Sequence, residues 1–285
     1  MAQWKPSHPA ILVPGDPLTR GLVGAWMFTE GAGLNAQDAS GRGNHGTLTA
    51  TPPTWVGGRE GYALRPSGGT GRYVDCGTGA SLNTGLVSVE LFLAWDGTAQ
   101  TSYAIDRKNA NAATVSVYRS NTSSDWQFQI RLDGSESTAR RIDSDTNAVT
   151  DEWAHLVCIY DGSTQHMYRD GVLQTDTNSV AGALDADSFT SFFIGSHSGG
   201  TLRHYGDIGY CRYWNRALTA GEARTLYRDR YAMLRVADLA WLFSGAVLPL
   251  PLDTLDILTA ADTLDVTTAA DALDVLTAAD TLNVE

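Results

Sequence analysis

Hydrophobic and polar residues alternate with a period of two along much of the chain. From Trp126 to Leu132, the apolar Trp126, Phe128, Ile130 and Leu132 alternate with Gln127, Gln129 and Arg131, the pattern of a strand with one face in a core and one in water. Val87 to Trp95 puts Val87, Val89, Leu91, Leu93 and Trp95 on one side in the same way. His155 to Tyr160 is apolar on both sides and predicts a central strand. Met167 to Arg169 and Val172 to Gln174 flank Asp170-Gly171, a hairpin signal, because both central residues of that tight turn need positive φ. Ser191 to Gly195 and Ile208 to Trp214 supply two further strands. Helical character is convincing once. Thr219 and Glu222 form a capping-box pattern ahead of Ala223, Leu226 and Tyr227, which predicts a short helix over 220–229.

The ends differ from this middle. Pro6, Pro9, Pro14 and Pro17 predict an irregular N-terminal arm over residues 1–18, since each proline removes a backbone donor. Residues 19–230 read as one β domain. Residues 231–249 read as a connector whose Leu234, Leu239, Trp241, Leu242 and Phe243 pack back on the domain or against a partner. Residues 250–285 hold a nine-residue repeat of the form D-T-L-D-V-L-T-A-A, starting at Asp253, Asp262, Asp271 and Asp280. Nine residues rotate a helix by about 900°, so successive copies would face opposite ways and no apolar stripe results. The pattern fits a short strand followed by an A-A-D turn, with Leu255, Leu264, Leu273 and Leu282 aligned between stacked or intertwined copies. So few copies bury little surface alone, which predicts a homo-oligomer, a trimer being one form. The alternative is a disordered acidic tail.

Charge sharpens the picture. The net charge is −12, and no Lys or Arg follows Arg235, whereas eight acids lie between Asp253 and Glu285. Nucleic acid and anionic lipid would need clustered cations, so neither is an expected partner. No segment reaches the ~20 apolar residues of a membrane span. Met1 to Pro14 contains no apolar run of signal-peptide length, so the expectation is synthesis in the cytoplasm and, for action outside a cell, release by a route such as lysis. Cys76, Cys158 and Cys211 show neither zinc spacing nor a complete disulfide framework; they read as buried free thiols. His45 and His155 have no Ser or Cys partner at a recognisable motif, so no nucleophilic site is indicated.

An ordered set of short motifs runs through the domain: G-L-V-G-A-W-M-F-T-E-G-A-G from Gly21, D-A-S-G-R-G-N-H-G-T-L from Asp38, T-W-V-G-G-R-E-G-Y-A-L ending at Leu64, Y-V-D-C-G from Tyr73, E-W-A-H-L-V from Glu152, M-Y-R-D-G-V-L from Met167 and Y-C-R-Y-W-N-R-A-L-T-A-G-E from Tyr210. The set resembles the laminin-G-like/concanavalin A-like lectin superfamily. That resemblance implies an all-β, two-sheet antiparallel jelly-roll sandwich with one short helix, followed here by the nonapeptide-repeat β tail. It also implies one concave and one convex sheet. The superfamily includes glycan binders, adhesion modules and glucanases. The closely spaced strand acids of the glucanase branch are missing, since Glu90 is followed by Leu91, Phe92, Leu93 and Ala94; no enzyme activity is expected. Calcium is common in the superfamily near the last strand, but Ile208 is followed by Gly209. Asp38 and Asp207 remain as candidate metal ligands, and no cofactor is required. The flanks H-P-A-I-L-V-P-G-D-P-L-T-R-G-L-V-G-A-W and L-Y-R-D-R-Y-A-M-L-R resemble those around this fold in phage and prophage genes.

For a ligand, the polar side of the Trp126 strand is the better candidate, because alternation sends Trp126 itself to the core. Gln127, Gln129 and Arg131, with Tyr118 on the preceding strand, offer hydrogen-bonding groups and an aromatic ring; an ordinary solvated sheet face is the competing reading. The expectation is a phage virion accessory protein, a fibre or capsid decoration, that displays a lectin-like domain to surface glycans and assembles with itself and other virion proteins. A free bacterial carbohydrate-binding or adhesion module is the alternative.

Overall fold

The computed structural model describes residues 5–6, 10–67, 69, 71–109, 113–132, 140–184, 189–197, 200, 202–235, 255–258 and 263–266. The chain divides into two compact units, Met1–Ala237 and Asp238–Glu285.

In the first unit two antiparallel sheets enclose one apolar core. The eight-stranded sheet has the order Arg140–Asn147, Asp125–Ile130, Ala113–Arg119, Ser102–Asn109, Phe189–Ile194, Val74–Asp75, Gly46–Leu48 and Asn35–Ala36. The nine-stranded sheet runs Val172–Leu173, Thr164–Arg169, Trp153–Tyr160, Val87–Trp95, Gly206–Trp214, Gly61–Arg65 and Thr54–Gly58. Its two remaining strands are Leu22–Trp26, beside Gly206–Trp214, and Asn178–Ser179, beside Thr164–Arg169. This is the expected all-β jelly-roll sandwich.

Period-two alternation fixes which side of each strand enters the core. Trp126, Phe128 and Ile130 are buried between the sheets with Val87, Val89, Leu91, Leu93 and Trp95. Residue-by-residue pairing carries one apolar row across the eight-stranded sheet: Ile142, Phe128, Val117, Ile105, Ile194, Val74 and Leu48. All of them are buried in that core. Cys76, Cys158 and Cys211 are buried free thiols, and burial raises the pKa of each.

The local signals operate as their chemistry requires. Asp170 (φ 51°) and Gly171 (φ 78°) turn the predicted hairpin, and a Cβ on Gly171 would also meet the Tyr227 ring at 2.6 Å. The helix, α1, spans Ala220–Arg228 with both capping-box hydrogen bonds formed. Burial acts to raise the Glu222 pKa, but hydrogen bonds from Arg216 and Thr219 outweigh it and hold that carboxyl at about 2.

Two features differ from the sequence reading. All nine residues of Val87–Trp95 are buried, because a second apolar layer covers the outer face of the nine-stranded sheet. There Phe92, Val157, Tyr210 and Trp214 lie under Leu18, Ala223, Leu226, Met233 and Leu234. The N-terminal arm is also less irregular than its prolines suggest. Asp16 caps a 3₁₀ turn over Pro17–Thr19, Ile11–Leu12 pairs with Leu234–Arg235, and Trp214 Nε1 donates to Leu18 O at 2.7 Å. Proline forbids long elements but tolerates a first-turn position and a two-residue edge strand. The start of the connector therefore packs back on the domain, while Leu239, Trp241, Leu242 and Phe243 lie outside the described residues. Both ends of the domain meet on the side away from the eight-stranded sheet.

A buried ionic network ties this layer together. Glu90 Oε1 lies 2.9 Å from His155 Nε2 and accepts from Tyr210 Oη at 3.0 Å, and Glu90 Oε2 lies 3.2 Å from Arg212 Nε. Tyr231 Oη donates to Glu60 Oε2 at 2.7 Å, and Arg230 ion-pairs with Glu60. The Lys5 amine donates to the carbonyls of Tyr62 and Gly209, and burial lowers its pKa to about 7.

In the second unit, Leu255–Leu258 and Thr263–Val266 pair antiparallel, with Leu255 opposite Val266 and Ile257 opposite Leu264. The expected alignment of Leu255 with Leu264 is not the register of this pair, because an antiparallel hairpin reverses one copy of the repeat against the next. Leu273 and Leu282 lie outside the described residues.

Candidate ligand-binding face

The outer face of the eight-stranded sheet is set by the same register, one residue out of step with the apolar row. Successive cross-strand partners are Arg141, Gln129, Ser116, Asp106, Phe193, Asp75, Thr47 and Asn35, so a row that is polar except at Phe193 crosses all eight strands. Beside it runs a second row, Asp143, Gln127, Tyr118 and Tyr103. Three of the four predicted residues, Tyr118, Gln127 and Gln129, thus project from one face, and Arg131, just past the strand end, acts electrostatically on Tyr103 of the same face.

Their exposure is not what a plain solvated face would give. Tyr118 keeps 6% of its surface and Gln127 only 2%, while Gln129 and Arg131 are half-buried. Tyr118 stacks on Tyr103 at 4.6 Å between ring centroids, and His197 also stacks on Tyr103 at 4.6 Å. The Tyr118 hydroxyl donates to Gln129 Oε1 at 3.4 Å and accepts from the Arg141 guanidinium, which raises the Arg141 pKa. Burial raises the pKa of Tyr103 and of Tyr118, against an opposing effect of Arg141 on the latter. Both phenols are therefore neutral near pH 7 and hold their protons as donors. Asp106 is fully buried; it accepts from Ser116 Oγ at 3.1 Å and lies 2.8 Å from His197 Nδ1. Burial raises the Asp143 pKa, and Arg141, 3.5 Å away, opposes that shift.

Sequence reasoning missed Tyr103, Arg141, Asp106 and His197. Tyr103 and Asp106 belong to a strand whose alternation is broken by register shifts against its neighbour, and Arg141 sits in a largely polar strand whose single apolar residue, Ile142, is too weak a period-two signal to read from sequence.

The two candidate metal ligands are not brought into one cluster. Asp38 Oδ1 accepts from the Ala25 and Ser40 amides, and Oδ2 from the Asn44 amide and the Ser40 hydroxyl, at 2.8–2.9 Å. All its strong acceptor sites are used to shape the loop. Asp207 is held by Arg65 through two bonds of 2.6 and 2.8 Å. Calcium takes 6–8 oxygen ligands, and among the described residues no group of three or more His, Cys, Asp or Glu could hold a metal. As folded, the donor sets at Asp38 and Asp207 do not fit the ion. Among the described residues no helix is long and apolar enough to cross a membrane.

A model of the concanavalin A-like lectin/glucanases superfamily matches residues 68–224, more than half of the chain. The protein belongs to that superfamily. Solved structures of similar fold include a Trypanosoma rangeli sialidase in complex with the inhibitor DANA, 15% identical, matching 74% of this chain and 33% of the sialidase with a TM-score of 0.55. The binding domain of Paraclostridial Mosquitocidal Protein 1 is 11% identical, over 75% of this chain and 53% of that one, at a TM-score of 0.55. Domain 4 of AbnA, a GH43 extracellular arabinanase from Geobacillus stearothermophilus solved with arabinotriose, is 18% identical over 72% of this chain and 98% of that domain, at a TM-score of 0.51. The chain spans about a third of the length of the sialidases it matches. No curated protein matches it significantly in sequence.

Proposed function

We propose that the protein is a non-catalytic glycan-binding domain displayed on a larger assembly, a phage virion accessory protein of the fibre or capsid-decoration kind. The observation that carries recognition is the adjacency of Gln129 and Arg141 to the Tyr103–Tyr118 stack, with Arg131 near enough to act on Tyr103. Sugars present hydroxyl groups and apolar C–H faces, and they are held by fixed planar hydrogen-bonding groups next to an aromatic ring. The likeness to an arabinanase domain solved with arabinotriose and to sialidases supports the same ligand class.

Catalysis fits the geometry poorly. Glu90 is buried under the helix layer and committed to His155, Tyr210 and Arg212. Measured from the buried Asp106, the outer-face acids Asp75 and Asp143 stand two and three strand spacings away, roughly 10 and 14 Å, and Asp176, the acid beside Asp143, is spent accepting from the Asp143 amide at 2.8 Å. Glycosidase carboxyl pairs lie about 5–9.5 Å apart.

Display is supported by the side on which the domain's ends meet, opposite the ligand face, and by the nine-residue repeat beyond it. In this reading the repeat tail assembles copies of the chain and joins other virion proteins, while the sheet faces outward toward surface glycans. Light scattering or native mass measurement on the purified protein tests assembly: a homo-oligomer, present in isolated particles, is expected. A strict monomer absent from particles would refute the virion role. A second reading, a free carbohydrate-binding or adhesion module, is favoured by the match over nearly all of the arabinanase domain. A monomer that binds glycans would select it.

A further inference from the structure

The polar row continues past Phe193 to a cleft that no sequence signal marked. Its volume is about 450 Å³, and His45, Thr47, Thr49, Tyr73, Asp75 and Gly77 contribute to its lining. That size falls within the ~300–1,000 Å³ of small-molecule sites. The register explains its position: Thr47 and Asp75 are direct cross-strand partners, and the Tyr73 ring packs edge-to-face on Phe193 at 5.3 Å.

The polar groups are fixed from behind and open in front. Asp75 Oδ1 accepts from the Gly77 amide at 2.8 Å and from the Ser191 hydroxyl. Its Oδ2, like the Thr47 and Tyr73 hydroxyls, has no protein partner among the described residues. Thr49 Oγ1 donates to Gly71 O at 2.6 Å and accepts from the Tyr73 amide at 3.3 Å, which secures the Tyr73 backbone. His45 Nδ1 accepts from the Asp38 amide at 3.1 Å, so in neutral His45 the ring proton is on Nε2, which is a donor. The cleft therefore offers a carboxylate acceptor, a ring N–H, two hydroxyls and one aromatic ring. Among the described residues, Asp75 is its one acid, and neither Lys nor Arg lines it.

We infer that this cleft is a second carbohydrate subsite, built for an uncharged sugar unit. The inference rests on reading this face as a glycan surface and adds a site separate from the Tyr103–Tyr118 patch. The ring of Tyr73 takes the C–H face of the sugar, and Asp75 Oδ2 accepts from its hydroxyls in charge-assisted hydrogen bonds, which are stronger than neutral ones. A carboxylated or sulfated unit meets Asp75 with no cation to offset it.

Calorimetric titration of the full chain with arabinotriose, maltotriose and cellotriose, and with trigalacturonic acid as the charged counterpart, tests this. Saturable binding of at least one neutral trisaccharide is expected, with trigalacturonic acid at least tenfold weaker. Thr47→Trp, which fills the cleft from an exposed strand position, is expected to abolish that binding. Asp75→Asn, which keeps an acceptor for Gly77 and Ser191, is expected to weaken it about tenfold with Tm unchanged. Retention in both variants together with loss in Arg141→Ala would assign the sugar to the other patch and overturn the inference while leaving the proposed function intact. Absence of binding by all three neutral sugars, or preference for the acid, would also overturn it.

Discussion

Arg212→Met probes the buried network that holds the helix and both chain ends on the nine-stranded sheet. Arg212 and Glu90 are fully buried, 3.2 Å apart. The Arg212 Nε and Glu90 Oε2 atoms form an ion pair without hydrogen-bond alignment, so the attraction is Coulombic rather than a full charged hydrogen bond. Arg212 also donates to Arg230 O at 2.5 Å and covers the Tyr210 ring at 4.5 Å. Methionine keeps the stem and removes the charge. It leaves Glu90 in the protein interior with only His155 and Tyr210 as partners. Breaking one side of such a pair costs about 3–5 kcal/mol, and the poor alignment argues for the lower end. For a domain of this size that is a fall in Tm of roughly 6–20 °C. Removing both charges, Glu90→Leu with Arg212→Met, takes away the stranded carboxylate and is expected to recover most of the loss. Thermal unfolding followed by circular dichroism reads both. A single variant within about 1 kcal/mol of the parent, or a double variant no better than the single, would refute the reasoning.

Three further outcomes follow from the geometry. Thr219→Ala removes the side-chain cap of α1 and should cost about 1 kcal/mol in denaturant unfolding. His204 is buried as a neutral ring, bonded to Ser102 Oγ and Ala94 O, each at 3.0 Å, and burial lowers its pKa to about 4. Its contribution is complete above its unfolded pKa of about 6.5 and is lost as pH falls through the folded value, by about 3 kcal/mol in total. A stability–pH profile that stays flat between pH 6.5 and 4 would contradict it. Because Asp38 is saturated by protein donors, calcium or a chelator should leave Tm unchanged, whereas Asp38→Ala should lower it; a calcium-dependent rise in Tm would restore the metal expectation.

The sandwich was legible in the sequence where one strand carries its own signal. Trp126, Phe128 and Ile130 declared their face by alternation, Asp170-Gly171 its turn, and Thr219 with Glu222 its cap. Phe92 and Glu90 were not readable in the same way. A strand buried on both sides has no polar side to mark it, and what covers it comes from the two distant chain ends. The candidate site was half legible. The outward direction of Tyr118, Gln127 and Gln129 follows from period two within one hairpin. The stack of Tyr118 on Tyr103 and its hydrogen bond from Arg141 arise only through pairings between separate strands. The cleft was invisible for the same reason, since Thr47 and Asp75 meet across a sheet rather than along the sequence.

The account turns on whether the outer face of the eight-stranded sheet binds sugar. Screening the purified chain on a glycan array, followed by titration of the strongest ligand against Arg131→Ala, Arg141→Ala and Tyr103→Ala, tests it most directly. Loss of one charged hydrogen bond, about 1.5–3 kcal/mol, corresponds to a roughly 10- to 150-fold weaker Kd for a contacting arginine. Saturable binding that falls by this much in the arginine variants, with Tm preserved, is the predicted result. Silence across the array, or binding that is indifferent to all three substitutions and to Thr47→Trp, would contradict it.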